Sequence, residues 1–217
     1  QLPTEDLAHS DRLMQEIIDL GTEGILKFSD MLVPLGSGDD TKARYALQSV
    51  AIYSGAQNPK IETSELEQAF LIAIKKTSNV EEKTFLMDRL QYIGTNKSVK
   101  LLGSYLLNDQ LFKPALAALF SIGTIEAASE ISSAILKAST SQKMAFVDVV
   151  GILKYKPSVS IIEEIASSFD GLLQQKALLA LANIASPDSY GILLNAVKKS
   201  NFQLDDSKSI LAFITYG

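Results

Sequence analysis

One short pattern returns along this chain, and it restricts the fold more than any single residue does. Asp109 to Leu119 reads Asp-Gln-Leu-Phe-Lys-Pro-Ala-Leu-Ala-Ala-Leu, and Asp170 to Leu181 reads Asp-Gly-Leu-Leu-Gln-Gln-Lys-Ala-Leu-Leu-Ala-Leu. Each run leads to an apolar residue followed by a small one, Ile122-Gly123 and Ile184-Ala185. Related steps stand at Ile93-Gly94 and Gly151-Ile152. The four isoleucines, Ile93, Ile122, Ile152 and Ile184, lie 29, 30 and 32 positions apart. A unit of about 30 residues with two helical patterns cannot bury its apolar face alone. Stacked neighbours bury it, which is the sequence mark of an α-solenoid.

The apolar periodicity sets out helices and no sheet, because no window alternates polar and apolar residues. Ser10-Asp11 caps a helix to Leu20 with Leu13, Ile17 and Leu20 on one face, and Gly21 stops it. A second helix, Thr22 to Leu32, buries Ile25, Phe28, Met31 and Leu32, and Pro34, Gly36 and Gly38 turn the chain. Asp39-Asp40-Thr41 caps a helix from Lys42 to Tyr53 whose buried stripe is Ala43, Ala46, Leu47 and Val50. After a loop from Gly55 to Thr63, helices are expected at 64–76, 81–93, 98–107, 111–122, 126–138, 142–153, 158–169, 172–184 and 187–199. Their ends carry turn chemistry. Ser186-Pro187-Asp188 puts serine at an N-cap, and Asp109 and Asp170 open their units in the same way. Gly94 and Gly123 close helices where a left-handed residue is wanted. Alanines 115, 117, 118, 177, 180 and 182 let helices approach closely. Asp205-Asp206-Ser207 reads as one more cap, followed by an apolar face of Ile210, Leu211, Phe213 and Ile214. The expected organisation is a single repeat domain over 1–217. Residues 1–38 are N-terminal capping helices, 39–200 repeat pairs, and 201–217 the start of a further, truncated unit.

Composition narrows the chemistry. Lysine and arginine number 20 against 25 acidic residues, giving a net charge of −5. The basic residues are scattered, with doublets only at Lys75-Lys76 and Lys198-Lys199, each read as a solvated helix end. This is the wrong balance for binding phosphate backbones, so no nucleic-acid partner is expected. No apolar run reaches the roughly 18 residues a membrane span needs. There is no cysteine, and His9 is the one histidine, which rules out disulfides, thiolate chemistry, a histidine triad and a two-histidine metal site. Gly36 to Lys42 lacks the Gly-Lys-Ser/Thr order of a phosphate loop and reads as a turn and cap. Glu163 and Glu164 point about 100° apart on a helix, so they do not converge on one atom. Asn96-Lys97-Ser98 matches a glycosylation sequon but reads as a loop and helix cap. Tyrosines 45, 53, 92, 105, 155 and 190 read first as plugs of inter-helix seams, with an interface as the alternative. No catalytic, cofactor-binding or metal-binding residue and no cofactor is assigned.

The unit Leu-x-Asp, then a basic residue, Ala, and Ala-Leu-x-x-Ile, carried by Leu107 to Ile122 and by Phe169 to Ile184, resembles bacterial HEAT-like repeats. Lys113 and Lys176 stand where arginine is commoner. Met31 to Leu47 and Leu181 to Ser189 are similar to HEAT-repeat regions of exported Bacteroidetes proteins that carry a 3-keto-disaccharide hydrolase-like domain. The resemblance implies an all-α, HEAT/armadillo-like α-solenoid, a right-handed superhelix of about five helical hairpins. It implies that the second helix of each pair lines the concave side. That surface would carry Lys97, Lys100, Ser104, Glu126, Glu130, Ser133, Ser160, Glu163, Glu164 and Ser167. The expected function is a non-catalytic scaffold for another protein or an adjacent domain, within a larger exported carbohydrate-active protein of the periplasm or cell surface. The alternative is a stand-alone HEAT-fold enzyme of the tetrapyrrole-lyase or DNA-glycosylase kind, disfavoured by the acidic balance and the lack of tryptophan.

Overall fold

The computed structural model describes residues 7–34, 36–56, 63–169, 171–203 and 208–217, with side chains from residue 12 onward. The described residues are all-α, with no strand among them. Helix α1 already runs from Leu7, so Ser10 and Asp11 lie within it and do not cap it as expected. The expected caps at Asp170 and Asp205-Asp206-Ser207, residues 57–62 of the expected loop and the side chain of His9 lie outside the described residues. The chain divides into two compact units, 1–122 and 123–217.

The first unit contains α1 (Leu7–Asp19), α2 (Gly21–Ser29), α3 (Thr41–Ala56), α4 (Thr63–Lys76), α5 (Val80–Ile93), α6 (Asn96–Gly103) and α7 (Phe112–Ile122). Each helix packs on its next-but-one neighbour. Helices α1, α3, α5 and α7 follow one another in one layer, and α2, α4 and α6 in the other. The expected stripe of α3 is fully covered, with Ala43, Ala46, Leu47 and Val50 at 2% exposure or less. Phe70, Ile74, Leu86, Met87, Leu90, Leu102, Leu106 and Leu119 join it in the core. Leu20 and Met31 depart from expectation and are exposed. Each lies just beyond the end of a short helix, where the chain leaves the helical register.

The second unit contains α8 (Ile125–Ala134), α9 (Thr140–Ile152), α10 (Val159–Ser168), α11 (Gly171–Ile184), α12 (Tyr190–Lys199) and α13 (Ser209–Tyr216). Here α9, α11 and α13 form one run of packed neighbours, and α10 packs on α12. Two 3₁₀ turns, Ile135–Lys137 and Pro187–Ser189, occupy stretches where the sequence suggested continuous helix, and a third, Lys156–Ser158, stands at the expected connection before α10. Pro157 and Pro187 sit at the head of two of them and tighten the entry to α10 and α12. Helix α13 buries Ser209 and Ala212 and leaves Leu211 and Ile214 exposed, so the expected apolar face is turned partly outward.

The helix ends correct several expectations. Gly123 is left-handed as expected, with φ 62°. Gly94 is extended, with φ −65° and ψ 141°. Its missing side chain serves close packing instead. A Cβ there would stand 2.5 Å from the Leu90 carbonyl oxygen and 3.1 Å from Ile122 Cδ1. The left-handed place after α11 is held by Ala185, and the one after α9 by Lys154. Lys154 closes α9 with the Tyr155 N–H donating to Val150 and its own N–H to Gly151, a Schellman pair of bonds. Asn108 caps the turn before α7, its side chain accepting from the Gln110 and Leu111 N–H groups. Ser186 gives no side-chain cap, because its hydroxyl donates to Asp188.

Candidate interaction surfaces

The helix starts explain the best-formed polar contacts. Glu67 lies four residues into α4 and is completely buried. A lone buried carboxylate is costly, so its partners decide its role. Its oxygens accept the Thr95 N–H at 2.7 Å, the Thr95 hydroxyl at 2.8 Å and the Ser98 hydroxyl at 2.6 Å. Thr95 is the N-cap of α6 and Ser98 lies in its first turn. The carboxylate therefore sits on the positive end of α6, where an anion is favoured. Glu163 lies four residues into α10 and repeats the device in the second unit. It accepts the hydroxyl of Ser189, a buried residue just before α12, at 3.1 Å. Lys176 of α11 and Asp148 of α9 add an ion pair between neighbouring helices.

A second cluster lies on α3 and α5. The Phe85 ring has the Arg89 guanidinium 4.6 Å from its centroid and that of Arg44 at 5.0 Å. Arg44 donates to Asp40 at 2.8 Å and to Glu81 at 3.2 Å. Arg89 donates to Gln48 Oε1 at 2.9 Å, and its Nε is covered with no hydrogen-bond partner. Burial lowers the Arg89 pKa and raises that of the adjacent Asp88. At Asp40 burial works upward, but the hydrogen bonds from Arg44 and the Val33 N–H outweigh it and hold the pKa below the ordinary value.

The third feature is an open groove of about 550 Å³ in the second unit. It is bordered by Ser167 of α10, Gln174 in the first turn of α11, and Asn195, Lys198 and Lys199 of α12. Among the described residues its lining contains no carboxylate.

The ten expected surface residues fall on three helices. Lys97, Lys100 and Ser104 belong to α6 and its end in the first unit, and all three are exposed. Lys97 reaches Ser64 Oγ at 2.5 Å, and the Ser104 hydroxyl donates to the Leu101 carbonyl. Glu126 and Ser133 are exposed on α8, and Glu130 is half-buried there. Ser133 donates to the Ser129 carbonyl. Ser160, Glu164 and Ser167 are exposed on α10, whereas Glu163 is half-buried and held by Ser189. Of the ten, Ser167 alone lines the groove. The sequence reading passed over Glu67, Arg44, Phe85 and Arg89, and it treated Lys198-Lys199 as solvent. One signal for Glu67 was available: a hydroxyl residue at the next even-numbered helix start, 28 to 31 positions on.

Among the described residues no group of histidine, cysteine, aspartate or glutamate side chains is arranged to hold a metal ion. No described helix is long and apolar enough to cross a membrane. Comparison of the chain with protein-family models, curated proteins and solved structures finds no match in any of the three.

Proposed function

We propose that the chain is a stack of HEAT-like helical pairs that holds another protein or an adjacent domain and performs no chemistry of its own. In this reading it is the non-catalytic part of a larger exported carbohydrate-active protein. The next-but-one packing of helices within each unit supports the repeat reading. The observation that carries the functional reading is where the covered polar groups go. Glu67 and Glu163 hold the starts of α6 and α12, and Asp148 ties α9 to α11 through Lys176. Groups that an enzyme would aim at a substrate are spent here on fixing one helix to the next. The exposed helix faces, α10 with Ser160 and Glu164 among them, are left to meet a partner.

The test uses the full open reading frame. A sugar-active domain encoded with this chain is produced separately and titrated with the 217-residue chain by calorimetry. Association is expected, weakened at least about tenfold by Ser160→Arg with Glu164→Lys. Turnover of a keto-disaccharide by the chain alone, or no association with the companion domain, overturns the proposal.

A further inference from the structure

We infer that the groove between α10, α11 and α12 receives an acidic, partly apolar peptide segment of the partner. The inference rests on the interaction-module reading above and names the chemistry of one of its contacts. Three observations converge. The groove's volume, about 550 Å³, lies in the range that holds a few side chains. Among the described residues its charge is one-sided: Lys198 and Lys199 border it, no described aspartate or glutamate does, and the chain as a whole is at −5. Its lining is mixed: the apolar Leu178, Ile192 and Ala196 stand among the polar side chains of Ser167, Gln174 and Asn195.

The bland account of the two lysines is that they lie in the last turn of α12, where the negative end of the helix favours cations. That account explains their charge but not the groove beside them. Neither lysine makes an ion pair with a described residue, and Glu164 on α10, one turn before Ser167, is not part of the lining. The groove is open to solvent, so a chain can lie across it and set a leucine-sized side chain against Ile192 and Ala196. Carboxylates on either side then meet Lys198 and Lys199. A small anion gains the charge but leaves Ile192 and Ala196 wet.

The experiment records amide NMR spectra of the chain during titration with a short peptide of alternating glutamate and leucine. A peptide with lysine in place of glutamate and free glutamate serve as controls. Expected are shifts at Ser167, Gln174, Asn195, Lys198 and Lys199, loss of binding as salt rises, and affinity about tenfold weaker in Lys198→Glu/Lys199→Glu. Both lysines are exposed, so the variant keeps the fold, which circular dichroism checks. Absence of shifts, equal binding of the lysine peptide, equal binding of free glutamate, or no change in the double variant overturns the inference. If the companion domain still binds while the peptide fails, the groove assignment falls and the interaction-module reading stands.

Discussion

Gly151 sets how closely α9 approaches α11, and replacing it tests the packing directly. A Cβ built on Gly151 would lie 2.7 Å from both Cα and Cβ of Ala180. Ordinary carbon contacts lie at about 3.5–4.0 Å, so the added methyl is about 1 Å too close. One obstacle is backbone and cannot rotate away, so the helices themselves must separate. Overpacking of this kind costs about 1–3 kcal/mol. Replacing glycine by alanine in a helix returns up to about 1 kcal/mol, less near the end of α9 where Gly151 sits. The expected net loss for Gly151→Ala is about 1–2 kcal/mol, a fall of roughly 3–6 °C in Tm for a chain of this length. Urea unfolding followed by far-UV circular dichroism measures it. Gly191→Ala is the matched control, since nothing stands within 4 Å of its added Cβ. It is expected to be neutral or slightly stabilising. Adding Ala180→Gly to Gly151→Ala should rescue part of the loss, giving a coupling of about 1 kcal/mol. Stability of Gly151→Ala at or above the parent, or strict additivity of the pair, refutes the close approach.

Glu67→Ala should be the most damaging single change to a polar residue, about 3–5 kcal/mol in chemical denaturation, because it strands the Thr95 N–H and Ser98 hydroxyl in the interior. An Asp148→Ala/Lys176→Ala cycle should show coupling below about 1 kcal/mol, because both side chains keep a quarter or more of their surface in water. Asp40 and Asp88 should respond to pH with opposite signs. The lowered pKa of Asp40 gives stability that is present above its ordinary value near 3.8 and lost as pH falls through the folded value, so Asp40→Asn lowers Tm at pH 7 and not in acid. The raised pKa of Asp88 means the folded state disfavours its charge, so Asp88→Asn raises Tm at pH 7 and the gain fades as pH falls toward 4. Thermal melts across pH 3–8 separate the two.

The helical fold was legible because its signal is repeated and local. The stripe of Ala43, Ala46, Leu47 and Val50 follows from spacing alone, and all four are buried. Small residues at helix crossings were legible too, as at Ala180. What escaped depends on pairs of residues distant in the chain. Gly94 reads as a left-handed cap and is needed because Ile122 passes beside it, 28 positions on. Ala185 and Lys154 adopt left-handed backbone that residue type gives no reason to expect. Glu67 sits in a polar stretch, Thr63-Ser64-Glu65-Leu66-Glu67, that looks like a solvated helix start until α6 closes over it. The interaction surface was the least legible part. Exposure on α8 and α10 follows from periodicity, but the groove on α10 to α12 depends on how three helices meet.

The Glu67 clasp also limits where the first unit can be cut. The carboxylate belongs to α4, while the groups that donate to it belong to the start of α6. A piece ending between them would leave the carboxylate without its donors, and one beginning there would lack the anchor for its first turn. Helices linked this way are not interchangeable bricks. Shortened versions should be designed so that 63–76 and 95–103 stay together.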